Sequence, residues 1–157
     1  MLIPSELVPM PSPGSPLFSP KQVRDLLALP NEQLRNWRKL LPSIGRDRSG
    51  QAVFDFADLL AFAIVRRLVV DAGVRIGLLE PVAHLLVEIC ASMTLEEAPR
   101  LRLEFEPEIE RVAVRPIDAP TPHTLVVLVP LGPIVKSLIA RLTLPPDGPD
   151  GLPLFRQ

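Results

Sequence analysis

A break of four residues, Ala28-Leu29-Pro30-Asn31, constrains this chain more than any other feature. Before it, Val23, Leu26 and Leu27 recur at i, i+3 and i+4, with Ser19 where an N-cap belongs and Pro20 at the first helical position. After it, Leu34, Trp37, Leu40 and Leu41 fall at i, i+3, i+6 and i+7, which leaves Arg35, Arg38 and Lys39 off the apolar face. Pro30 stops the first helix and Asn31 can cap the second. Two short helices, a tight break and basic residues turned away from the packing face describe a helix-turn-helix.

The next stretch extends the pattern. Arg48-Ser49-Gly50 is a hairpin tip, with Gly50 supplying a positive φ, between short arms near Ile44 and Val53. Asp55 then caps a helix that carries Leu59, Leu60, Ala63, Ile64 and Leu68 inward and ends at Asp71-Ala72-Gly73. With these residues in view, the run resembles the DNA-binding domain of the MerR family. The resemblance is carried by Leu34-Arg35-Asn36-Trp37, the basic segment Arg46 to Gly50, Phe54, the capped start Asp55 to Leu59, and the close at Asp71 to Val74. It covers about the first 90 residues and implies a winged helix-turn-helix that binds double-stranded DNA. In that family the position matching Arg35 commonly touches the DNA backbone.

Charge is distributed as such a reading requires. The chain carries a net charge of −1, but between Phe18 and Val70 nine Lys/Arg face five Asp/Glu, so the remainder holds five negative charges in excess. A basic segment ahead of an acidic one fits a localised DNA-binding face. The 20 prolines cluster at both ends, so 1–17 and 145–157 read as extended tails outside the folded part. No segment has the pattern of a signal peptide or a membrane span, and one cysteine, Cys90, excludes an internal disulfide framework. Both point to a cytoplasmic protein.

The second half departs from the resemblance, because the long dimerisation helix of MerR proteins is missing. Leu79 to Met93 has helical spacing, with Pro81 placing its regular start near Leu79 or Glu80. From Arg100 the period changes to two: Leu101, Leu103 and Phe105 alternate with Arg102, Glu104 and Glu106, as in a half-buried strand. Pro107-Glu108 turns the chain into a second strand, Arg111 to Arg115. Thr124 to Val129 reads as a strand buried on both faces, and Pro133 opens a helix bearing Ile134, Leu138, Ile139 and Leu142. The fold class is therefore α+β: a winged helix-turn-helix over 18–93, then a small β-β-β-α region over 100–144, partly antiparallel. That region is the expected surface for homodimerisation or signal input.

Candidate DNA-contacting residues are Lys21, Gln33, Arg35, Asn36, Arg38, Lys39, Arg46 and Arg48. Asn36 and Gln33 suit adenine edges and Arg38 suits guanine, whereas Arg35 and Lys39 suit phosphates. Arg46 and Arg48 suit flanking phosphates or the minor groove. Trp37 shares the face of Leu34 and Leu41, so it belongs to the core. His84, Glu88 and Cys90 lie close in sequence, but one cysteine and one histidine do not make a metal set, and neither His84 nor His123 has a nucleophile or acid arranged around it. The expectation is a transcriptional regulator without cofactor, metal or catalysis. Two competitors are an architectural, excisionase-like DNA-bending factor and a protein-interaction module with no DNA function.

Overall fold

A computed structural model describes residues 16–48 and 50–143. The Pro-rich tails expected over 1–17 and 145–157 lie almost wholly outside these residues, as does Ser49 at the hairpin tip. The chain runs α1 (Pro20–Leu27), α2 (Asn31–Leu40), β1 (Arg46–Arg48), β2 (Gln51–Val53) and α3 (Phe56–Arg66). It continues through α4 (Ala83–Ser92), β3 (Leu101–Glu106), β4 (Arg111–Pro116), β5 (Val127–Pro130) and α5 (Leu131–Thr143).

Local chemistry sets the helix starts. Ser19 caps α1 reciprocally: Gln22 N–H donates to Ser19 Oγ at 3.2 Å, and Ser19 N–H donates to Gln22 Oε1 at 2.8 Å. Asp55 and Asp58 make the same box at α3. The cap of α2 is a correction. Pro30, not Asn31, occupies the N-cap, and its carbonyl accepts from Gln33 and Leu34 N–H while no side chain caps the helix. Proline's extended φ/ψ already suits the N-cap, so Asn31 enters the helix itself.

The helix α3 is the hub. Its residues Asp58 to Val65 are all buried, and it packs against α1, α4 and α5. Past Arg66 the coil widens into a π-helical turn, Arg67–Asp71, closed by Gly73 at φ +72°. The helix expected to begin near Leu79 or Glu80 begins later, at Ala83. Pro81 lacks an N–H and crowds the preceding turn, so Ile76–Val82 stays 3-10.

Two small sheets result. The strands β1 and β2 form an antiparallel ribbon, Arg46 opposite Val53. Phe18 extends it through a two-way bridge to Phe54, with N–H···O distances of 2.7 and 3.0 Å. The second sheet has the order β4-β3-β5 and is antiparallel throughout, where the sequence indicated this only in part. That order corrects two expectations. The strand β3 is central and buried on both faces, Arg102 and Glu104 included, rather than half-buried. The apolar β5 is instead an edge strand, with Leu128 at 37% exposure and Leu125 just before it at 71%. Apolarity alone could not tell the two apart, since centrality depends on strand order.

One buried cluster runs from Phe18 to Leu138. It joins the two segments because α5 lies on α1 and α3, and Arg141 Nη1 donates to the Leu26 carbonyl at 2.6 Å. Among the described residues no helix is long and apolar enough to cross a membrane.

Candidate nucleic-acid interface

Three packed rings, Trp37, Phe54 and Phe62, fix α2 and the ribbon to α3. Trp37 is 2% exposed and stacks on Phe62 at 6.4 Å between centroids, while Phe54 meets Phe62 edge-on at 5.7 Å. Trp37 is thus in the core, as its spacing indicated. The base of the ribbon is held more specifically. Gly45 sits at φ +92°, and a Cβ there would overlap the Phe54 ring, 2.8 Å from Cδ1. Only glycine fits both the backbone and the space.

The Gly45 N–H donates to Asp58 Oδ1 at 3.0 Å, while Asp58 Oδ2 accepts from Asp55 N–H at 3.1 Å. One buried carboxylate therefore ties the residue just before the ribbon to the start of α3. Burial, helped by the neighbouring Asp55 charge, pushes the Asp58 carboxyl up to about 6 against two stabilising backbone N–H bonds. Desolvation and the same two aspartates push the Cys90 thiol up to about 12, so this buried cysteine is a protonated packing group. His84 and Glu88 are exposed on α4, so the structure does not bring the three together.

The candidate contact residues divide by position. Arg35, Asn36 and Lys39 are exposed on α2, and Lys21 is exposed on α1. Gln33 and Arg38 are half-buried at opposite margins of the polar face, because five residues turn a helix through about 140° net. Arg38 faces the ribbon: its guanidinium lies 5.8 Å from the Phe54 centroid. With Arg46 it borders a hollow of about 150 Å³ floored by Ile44, Gly45 and Phe54. Arg46 is exposed and opposes Val53. Arg48 opposes Gln51 in the ribbon backbone, and its side chain lies outside the described residues.

The surface is mixed rather than uniformly basic. Glu32 lies one turn before Asn36 and stands 3.6 Å from Arg35 in an exposed pair that contributes little. Lys21, Arg38, Lys39 and Arg46 have no carboxylate within salt-bridge distance among the described residues.

Sequence reasoning missed Asp58, although the Asp55-x-x-Asp58 spacing was its signal. It also missed the Phe18–Phe54 bridge and the reach of Arg141 to Leu26, for which no local pattern exists. No known protein family matches the chain, and neither a curated protein nor a solved structure matches it.

Proposed function

We propose that α1, α2 and the β1–β2 ribbon form a MerR-like winged helix-turn-helix that binds double-stranded DNA sequence-specifically, as a transcriptional regulator without catalytic function. One observation carries this reading. Arg38 and Arg46 border a hollow at the junction of α2 and the ribbon, Arg35, Asn36 and Lys39 are exposed along the same helix, and neither bordering arginine has a carboxylate partner among the described residues. Arg102, by contrast, is buried and paired with Glu104. Asn36 is the best-exposed candidate reader of a base edge. Arg38, restrained over Phe54, is better placed to hold a phosphate beside Arg46 than to reach a guanine. Lys21, Arg35 and Lys39 supply further backbone contacts. The Asp58 bond to Gly45 favours this reading as well, since it fixes the ribbon's root against α3.

One such unit covers a half-site, and a symmetric operator needs two. The edge strand β5 with Leu125 and Leu128 is the surface we assign to the homodimer. Sedimentation of the full chain should show a dimer, and Leu128→Lys should shift it to monomer; a monomeric parent protein would remove the assignment. The DNA reading itself is tested by in vitro selection from random duplexes. An enriched motif with two spaced half-sites is the expected result. Recovery of bent or unspecific DNA would favour the architectural reading, and no retained DNA at all the protein-interaction reading.

A further inference from the structure

Between α1, α3 and α5 lies a hollow of about 90 Å³ that shares no residue with α2 or the ribbon. Its apolar floor includes Leu27, Ala63 and Leu138, and three arginines with one hydroxyl line the rest: Arg66, Arg67, Arg141 and Ser137. No acidic residue lines it. Three like charges at one small opening repel one another, so the arrangement opposes folding unless something offsets it.

What a structural arginine looks like in this protein is visible at Arg102. All five of its N–H groups are used: two on Glu104 and three on the carbonyls of Ile117, Ala119 and Pro120. Arg66 is different. Its Nε is buried and has no hydrogen-bond partner among the described residues, and no carboxylate pairs with its guanidinium there. Arg141 gives one bond to the Leu26 carbonyl, and Arg67 meets Asp71 at 3.1 Å in a half-exposed pair. Each has donors to spare beyond these bonds.

We propose that this hollow binds a small tetrahedral oxyanion of the phosphate class, held by Arg66, Arg67 and Arg141 with Ser137 as a hydroxyl partner. Guanidinium forks match phosphate oxygens in pairs, and the volume admits one such group rather than a nucleotide. The occupant is either free phosphate or the phosphoryl end of a small phosphomonoester whose remainder projects outward. Because Arg66 stands at the end of α3, Arg67 on the turn after it, and Ser137 and Arg141 on α5, the bound anion braces α3 against α5.

The test uses the full chain, titrated with inorganic phosphate and separately with glycerol phosphate, against chloride at matched ionic strength. Binding is read by calorimetry and by the midpoint of thermal unfolding. Phosphate should bind saturably and raise the midpoint, and chloride should not. Arg66→Gln should weaken phosphate about tenfold or more, and the exposed Arg67→Gln several-fold with little change in the unliganded midpoint. Tighter binding of the phosphomonoester identifies the ligand as phosphorylated; equal or weaker binding identifies free phosphate. A shift that never saturates, or that is equal in both variants and the parent, overturns the site. The outcome is independent of whether the protein binds DNA.

Discussion

Arg102 in the three-stranded sheet is buried and uses every N–H inside the protein, whereas Arg38 and Arg46 beside the ribbon have no carboxylate partner among the described residues. The same side chain serves opposite ends in the two regions. In the sheet, Glu104 is shared by Arg102 and by Arg115 at 3.2 Å, and this network pins the loop 117–120 over the face of β3. There, charge is part of the interior and holds backbone in place. At the ribbon the aromatic core does that work, and charge is left at the surface. The proposed function assigns that surface charge to DNA.

Breaking the sheet network is the harshest test of that contrast. Glu104→Leu leaves Arg102 buried without its counter-ion and should cost about 3–5 kcal/mol of unfolding free energy in denaturant titrations. Adding Arg102→Met should recover part of the loss, though not all, since three carbonyls lose their donor. By contrast Arg38→Ala should change stability by about 1 kcal/mol or less. Similar losses in both regions would erase the distinction.

Next in size is the root of the ribbon. Gly45→Ala forces both a positive φ and an overlap with Phe54, for an expected cost of about 2–4 kcal/mol. A cost below about 0.5 kcal/mol would mean that the ribbon is not seated on Phe54 as described.

The Asp58 link sharpens the comparison through pH. Its carboxyl is raised in the fold from 3.8 to about 6, so the folded state holds the proton more tightly than the unfolded chain. The stabilisation from that proton is complete below about pH 4 and is lost as pH rises through about 6. Asp58→Asn should flatten this part of the stability profile. An unchanged slope between pH 4 and 6 would place the titration elsewhere.

How much of this was legible depended on how local the cause was. Ser19, Pro20, Asp55, Gly50 and Gly73 act within a few residues, and their caps and turns stand where the spacing put them. The start of α4 and the cap of α2 slipped because a proline can be accommodated in more than one way. The burial of Arg102 and Glu104 could not be read from β3, since Arg102 is satisfied by a loop about fifteen residues on and Glu104 also by Arg115 of β4. Likewise the apolar composition of β5 indicates two buried faces, whereas strand order puts it at an edge. At the proposed interface the sequence named the cations but not their division, because Arg38's position depends on Phe54 across the ribbon.

Smaller effects concern DNA alone. Asn36→Ala should relax preference at one base position, by about 1–3 kcal/mol, while leaving stability nearly unchanged. A selected motif identical to the parent's would remove Asn36 as a reader. Arg46→Ala with Arg48→Ala should weaken binding to all sequences alike and reduce the salt slope by roughly 1–2.

The central claim, that the ribbon-side cations serve a polyanionic partner, is tested most directly by a salt titration of the full chain on random-sequence duplex DNA. Four to six phosphate contacts predict log K falling against log salt with a slope of about −3.5 to −5.5. Binding that is absent at low salt, or present with a slope near zero, would contradict the account.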